Sequence, residues 1–450
     1  MHGQDRPTPK ARFAYVGGEE SDFAALAEAF SVSGYALVRL DEAYGADLSL
    51  IDLRGKNVSV KKAQSITALL RRKSPESSIL IVVDPYLNDT ARMALRRHGE
   101  VVCIGAKPDA LIAKCRHLLR LRNVAEEAGE RLKTLATLNR LSEFPPIAAP
   151  PLGLRVLIAG EAGPAALTAI NALRPESEQC MCVFSAGQAM RAIETSRFDC
   201  AIFLPSRESD PLMSLAKALR RHPKHNALPV IYPLLDVDYA EDFVPRGASD
   251  FILMRHIASD LLPKCQTAAR RARLLKTMRR FLNACTGQSI RDESSGAFTS
   301  LFLSEHGARI CGRADQSGRP LALIAIKINA SALDNNESPF SRSAQHQATK
   351  IINRVTRAED TTARIAPDSF LVLAPATTEH DARQTALRIR GVMENTAFKG
   401  ERDKLHYGVK VDIAAVARPA GHCIEECVAL ALKGLQEAQS IKPLSQQLTQ

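Results

Sequence analysis

Short apolar runs of strand length recur along this chain in two sets, and between them the apolar residues fall at helical spacing. The first set is RFAYV (12–16), ADLSLID (46–52), SSILIVV (77–83) and VVCIGAKP (101–108). The second is RVLIAG (155–160), FDCAIFL (198–204), LPVIYPL (228–234) and GASDFIL (247–253). Runs so uniformly apolar predict strands buried on both faces, in parallel sheets covered by helices. Counterparts lie about 150 residues apart, which marks an internal duplication. Between the sets, helix-forming residues to about 141 run into FPPIAAPPLG (144–153), whose prolines cannot continue a helix and favour an extended spacer. After the second set, LLPKCQTAARRARLLKTMRRFLNA (261–284) has helical spacing and leads to a third segment. The expected organisation is a first α/β domain over 1–141, a linker over 142–153 and a second α/β domain over 154–260. A connecting helix over 261–285, an α+β domain over 286–442 and a tail over 443–450 complete it.

Length and composition fit this division. At 450 residues the chain can bury about three separate cores, and 45% hydrophobic with 24% charged residues is ordinary for globular protein. The N-terminus is polar, and no window approaches 18 uninterrupted apolar residues, so a cytoplasmic protein without membrane insertion is expected. Several of the 10 cysteines, Cys103 and Cys200 among them, sit inside apolar patterns, which suits buried reduced thiols. Cys180/Cys182 and Cys423/Cys427, the latter beside His422, lack the second ligand pair of a structural zinc site, so no metal is expected there. The net charge of +11 gathers partly at Arg270, Arg271, Arg273, Lys276, Arg279 and Arg280. No helix-turn-helix, zinc finger or tryptophan accompanies it, so the cluster reads as a solvated helix face and nucleic acid is not an expected partner.

The two duplicated segments resemble response-regulator receiver domains, whose flavodoxin-like fold carries a phosphoacceptor aspartate at the end of the third strand. Asp52 stands at that position, and Lys107-Pro108 matches the family's lysine-proline pair. The acidic pair that would hold Mg²⁺ is replaced by Gly17 and Gly18, with Glu19 and Glu20 displaced along the chain, and Asp84 stands at the switch hydroxyl. Asp52 is therefore a candidate phosphoacceptor, with Lys107 as its partner, and a strand-end aspartate that merely caps a loop is the alternative. In the second segment the acceptor position reads Leu204, five residues after Asp199 as Asp52 is after Asp47, and the lysine position reads Met254. Leucine cannot accept phosphate, so this degenerate copy, which keeps the Gly247-Ala248-Ser249-Asp250 turn, is expected to serve dimerisation or docking.

The third segment resembles the GGDEF domain of diguanylate cyclases. Its key strand reads RPLALIAIKINASALDNN (319–336), with Lys327 and Asn329 where the family has two metal-binding aspartates and Asn335 at the guanine position. An ammonium repels Mg²⁺ and offers it no lone pair. The signature hairpin reads Ala366-Pro367-Asp368-Ser369-Phe370, where Asp368 keeps the third position, Ser369 replaces the acidic fourth, and proline removes the conformational freedom of glycine. ALKGLQEAQ (431–439) places Gln439 where the family has a phosphate-contacting lysine. Five residues before the signature stands Arg357-Ala358-Glu359-Asp360, matching the family's Arg-x-x-Asp site for cyclic di-GMP. The same pattern occurs at 207–210 without an evident role, so it is the position that matters. The resemblance adds Arg388, on the helix after the signature, and Arg313, which in the family reaches the ligand from a neighbouring domain. Arginine forks suit guanine O6 and N7, and a carboxylate accepts from N1 and N2.

The resemblance as a whole implies two flavodoxin-like receiver domains followed by an α+β GGDEF domain. It further implies a cyclic di-GMP receptor without cyclase activity or bound cofactor, and a homodimer. The order and the losses are similar to effectors of bacterial cell-cycle control, which implies an adaptor at the cell pole delivering substrates to the ClpXP protease through RcdA. The competing readings are an active or weakly active cyclase with unusual metal ligands, a scaffold that binds no nucleotide, and regulation through phosphorylated Asp52.

Overall fold

The computed structural model describes residues 8–42, 44–55, 59–75, 77–103, 108–141, 153–204, 210–222, 224–236, 247–284, 290–330, 341–399 and 406–440. Nearly all of the expected Pro-rich linker, the 443–450 tail, Lys107 and Asn335 lie outside these residues. The chain forms two compact units, one built from Ala11–Arg122 with Ile147–Met278, the other from Met1–Lys10, Asn123–Pro146 and Arg279–Gln450.

The first unit holds two parallel sheets of the same flavodoxin-like topology. In the first, strands β1 (Arg12–Gly17), β2 (Ala36–Arg39), β3 (Leu48–Asp52), β4 (Ser78–Val83) and β5 (Glu100–Cys103) lie in the order β2-β1-β3-β4-β5. Alternation sends Leu80 and Val82 of β4 to one face, with Phe13, Phe30 and Leu111, and Ile79, Ile81 and Val83 to the other, with Ala63, Leu70 and Leu95. Both faces are thus covered by helices, which is why the strands read as unbroken apolar runs. Ser59 and Asn88 cap two of those helices by accepting from the backbone amides of Lys62 and Ala91.

The second sheet uses β6 (Leu154–Gly160), β7 (Ser177–Val183), β8 (Cys200–Leu204), β9 (Val230–Leu234) and β10 (Asp250–Leu253), in the order β7-β6-β8-β9-β10. Each sheet has one more strand than the hydrophobic pattern marks. The additional strands β2 and β7 are edges with largely half-buried residues, so they lack the apolar run of a covered strand.

Within this unit the two sheets are joined through buried charge. Arg92, fully buried, donates from Nε to Asp260 Oδ2 at 3.0 Å, and Lys114 reaches Glu100 at 2.6 Å and Asp250 at 2.5 Å. Arg271 pairs with Glu100 and Arg273 with Asp199, so part of the basic cluster is neutralised inside the fold rather than solvated.

The second unit is built on an antiparallel sheet in the order β12-β13-β11-β16, from β11 (Leu321–Ala330), β12 (Thr361–Ala366), β13 (Ser369–Pro375) and β16 (Val409–Ala417). A two-stranded ribbon, β14 (Phe398–Lys399) with β15 (His406–Tyr407), lies beside it in sequence. Ile324, Ile326 and Ile328 of β11 pack one face against the helices Arg342–Val355 and Glu379–Glu394, through Ala348, Ile352, Ala386 and Ile389. This layer places the end of one helix, the start of β12 and the flank of the other helix around a single opening. Among the described residues no helix is long and apolar enough to cross a membrane.

Candidate functional site

The Arg342–Val355 helix ends at Thr356, and the chain turns through Arg357–Asp360 into β12. The turn is closed by its own ends: Asp360 Oδ2 accepts from the backbone amide of Arg357 at 2.7 Å, and the Asp360 amide donates to the Arg357 carbonyl at 3.2 Å. Arg357 is exposed, while the Asp360 residue is half-buried. Across from them the Glu379–Glu394 helix presents Thr385 and Arg388, and Arg388 Nη2 donates to Thr385 Oγ1 at 3.0 Å. Arg357, Asp360, Thr377, Thr385 and Arg388 line one open pocket of about 310 Å³, with Val355 and Ala382 on its apolar side.

The Asp360 carboxyl is half-satisfied. Its Oδ1 is buried with no hydrogen-bond partner. Burial, reinforced by the neighbouring Glu359 charge, pushes this carboxyl up to about 7, against the opposing pull of the Arg357 amide and guanidinium. An orphaned buried acceptor is costly, of the order of 1–3 kcal/mol, and is explained readily by a donor that arrives with a ligand. Two guanidinium forks beside the Asp360 carboxyl, which lines the pocket, form a surface complementary to a base edge bearing both acceptors and donors, as guanine does.

The fourth candidate lies elsewhere. Arg313, on the Ser300–Ser317 helix, pairs with Glu126 at 2.8 Å and Glu130 at 3.2 Å and lines a different pocket of about 440 Å³. The structure therefore brings Arg357, Asp360 and Arg388 together and leaves Arg313 engaged with carboxylates.

Lys327 and Asn329, the strand positions compared above with two metal-binding aspartates, are both paired within the sheet. On β11, Lys327 stands opposite Ser369 of β13 and Asp412 of β16, and Asn329 Nδ2 donates to Asp412 Oδ2 at 2.7 Å. Asp368 sits in the hairpin turn, where its Oδ1 accepts from Ser369 Oγ at 2.8 Å and its carbonyl from the Ile328 amide at 2.9 Å. These two side chains are an ammonium and a carboxamide, neither of them a hard anionic oxygen donor. Among the described residues no cluster of His, Cys, Asp and Glu is arranged to hold a metal. Asn335 and the side chain of Gln439 lie outside the described residues. The sequence did not reveal Asp412, whose strand partner is Lys327.

Asp52 is buried and fully engaged. Tyr15 donates its hydroxyl to Oδ2 at 2.9 Å, Arg54 donates Nε to Oδ1 at 3.0 Å and Nη2 to Oδ2 at 2.6 Å, and the Arg54 amide donates to Oδ1 at 3.0 Å. Burial and the Asp52 charge raise the Tyr15 phenol well above its ordinary range. The hydrogen bond to Asp52 likewise raises Arg54. Gly17 and Gly18 adopt φ of 100° and 64°, and a Cβ there would lie 2.1 Å from the Asp52 carbonyl and the Tyr15 hydroxyl respectively. The glycines are therefore the residues that allow this closed cluster. In the second sheet Gly160 pairs with Leu204 in the register in which Gly17 pairs with Asp52. Tyr15 and Arg54 were missed by sequence reasoning; an arginine two residues after the strand-end aspartate was the only available signal.

Residues 344–442 match the family model described as diguanylate cyclase, GGDEF domain. No curated protein matches the chain. Similar solved structures include the diguanylate cyclase SiaD from Pseudomonas aeruginosa, in complex with its activator SiaC, at 20% identity over 40% of this chain and 70% of that one, with a TM-score of 0.32. The GGDEF domain of DgcB from Caulobacter crescentus, in complex with c-di-GMP, is 15% identical over 34% of this chain and 89% of its own, with a TM-score of 0.31. The FimX GGDEF domain from Pseudomonas aeruginosa is 15% identical over 34% and 95%, with a TM-score of 0.31.

Proposed function

From the premise that residues 344–442 form a GGDEF domain, we propose that this chain is a cyclic di-GMP receptor that makes no cyclic di-GMP of its own. The observation that carries the reading is the pocket where Arg357, Asp360 and Arg388 converge around an unpartnered carboxylate oxygen. One guanine of the ligand would receive arginine donors at O6 and N7 and offer N1 and N2 to Asp360, contacts worth about 1–3 kcal/mol of discrimination per good bidentate pair. Several such contacts support micromolar binding, on the order of 8 kcal/mol. Arg313 enters this reading as a ligand contact from a neighbouring domain, and it would have to leave Glu126 and Glu130 to serve.

Lack of cyclase activity is supported by Lys327 and by the Asn329–Asp412 hydrogen bond at the position where a metal should sit. The competing reading is an active or weakly active diguanylate cyclase. Incubation of the full chain with GTP and Mg²⁺ separates them: no cyclic di-GMP is the expected result, and steady product formation overturns the proposal.

The output proposed is a change in a docking surface. Ligand binding shifts the chain between arrangements with different affinity for protein partners. The two flavodoxin-like sheets act as receiver-derived docking or dimerisation elements in a cytoplasmic homodimer. The order of segments resembles PopA, and by that resemblance the partners are RcdA and, through it, substrate delivery to ClpXP at the cell pole during cell-cycle control. Ligand-dependent retention of purified RcdA by the immobilised chain tests this; equal retention with and without cyclic di-GMP contradicts it.

A further inference from the structure

The face of the Glu379–Glu394 helix that carries Thr385 and Arg388 continues one turn back to Asp381, at spacings of four and three residues. Thr385 Oγ1 donates to the Asp381 carbonyl at 3.0 Å, so the stripe is internally held. At its end sits a residue from the opposite end of the sequence. Lys10 places its Nζ 2.7 Å from Asp381 Oδ2, with both side chains about one-third exposed or less (32% and 27%). Asp381 also feels the Arg357 charge. Against the desolvation that would raise it, Lys10, Thr378 and Arg357 together hold its carboxyl below the ordinary range. Lys10, Asp381 and Arg357 thus share one electrostatic neighbourhood, and Arg357, with Ala382 and Thr385 beside Asp381 on the helix, lines the pocket.

We infer that Lys10 is a phosphate-contacting residue of the pocket, held ready by Asp381 in the empty site. The inference rests on the receptor reading above and adds a residue to it. A cyclic dinucleotide brings two phosphodiester anions as well as two bases. If the guanidinium forks of Arg357 and Arg388 serve base edges, the phosphate charge needs another cation. A lysine ammonium, a mobile point charge on a flexible stem, suits a phosphodiester oxygen. Asp381 has a double effect: it positions Lys10 and competes with the phosphate for it.

The test is calorimetric titration of the full chain with cyclic di-GMP at two salt concentrations, for wild type, Lys10→Ala, Lys10→Arg, Asp381→Asn and the double variant Lys10→Ala/Asp381→Asn. Lys10→Ala is expected to weaken binding about fivefold, the scale of one part-exposed charged contact, and to reduce its salt dependence. Lys10→Arg is expected to restore most of the affinity. Asp381→Asn is expected to tighten binding, and this gain should vanish in the double variant. Thermal unfolding accompanies each titration, since a part-exposed ion pair contributes little to stability and all variants should fold. Wild-type affinity in Lys10→Ala, or an Asp381→Asn effect independent of Lys10, overturns the assignment and leaves the pair a surface ion pair. Absence of binding by the wild-type chain itself overturns the receptor reading instead.

Discussion

Two aspartates of this chain, Asp52 at the end of β3 and Asp360 at the start of β12, are enclosed in opposite ways. Asp52 is saturated: the Tyr15 hydroxyl, the Arg54 amide and the Arg54 guanidinium together use both of its oxygens. Asp360 has one oxygen tied to the Arg357 amide and the other buried without a partner. Two arginines nearby, Arg357 and Arg388, are exposed around the same pocket instead of being folded onto the carboxyl. A carboxylate whose acceptors are filled by its own chain is part of the structure. One left incomplete among uncommitted cations costs the empty protein stability, a cost that a ligand offsets. Asp52 stands at the end of β3, in register with Gly17 at the end of β1.

The comparison breaks most visibly at Arg54. Arg54→Ala leaves a buried carboxylate with only Tyr15 and a backbone amide, and is expected to cost about 3–5 kcal/mol of stability by the usual penalty for a stranded buried charge. Urea denaturation of the variant measures it. A loss below about 1 kcal/mol would show that Arg54 is a dispensable surface partner.

At the other aspartate the sign reverses. The folded-state carboxyl of Asp360 is raised to about 7, so the folded chain binds its proton more tightly than the unfolded chain does. Its stability contribution is fully present below the unfolded value near 4 and is lost as pH rises through about 7. Asp360→Asn should therefore stabilise the empty chain at pH 8 by about 1–3 kcal/mol. Cyclic di-GMP affinity should fall by a similar free energy, because the amide no longer supplies an anionic acceptor to guanine N1 and N2. Thermal unfolding and ligand titration of the same variant check both halves, and a variant less stable than wild type at pH 8 would refute the first.

Arg388→Ala is expected to weaken the ligand about tenfold, on the order of 1.4 kcal/mol, with no loss of stability, because this side chain is bonded to Thr385 on its own helix. The most gradual effect is the pH profile of the wild type. Affinity should be level above about pH 8 and fall by about tenfold per unit once pH is well below the Asp360 value of about 7. A flat profile between pH 5 and 8 would mean that the carboxyl does not meet the ligand in its ionised form.

How much of this was legible in the sequence depended on whether local pattern or tertiary contact decides the feature. The duplicated sheets were legible because strands such as LSLID (48–52) and CAIFL (200–204) are buried throughout and read as apolar runs. The edge strands β2 and β7 were not, since half-buried residues carry no such signature. Arg357 and Asp360 were found from their position ahead of the hairpin, and Arg388 from the helix that follows it. That Asp360 keeps a buried oxygen without a partner, while Asp52 does not, could not be read from either local pattern. Asp52 depends on groups that only the fold assembles, such as Tyr15 one strand away, and Asp360 on its burial beside Glu359 and Glu127. Arg313 was named as a ligand contact, and its partners Glu126 and Glu130, on a helix far earlier in sequence, were not legible.

The central claim, that the Arg357–Asp360–Arg388 pocket is a receptor for cyclic di-GMP, is tested most directly by calorimetric titration of that ligand into the full chain and its Arg357→Ala variant at pH 8. Micromolar binding by the wild type and at least a thirtyfold loss in the variant, about 2 kcal/mol, is the expected result. No binding by the wild type, or equal binding by both proteins, would contradict it.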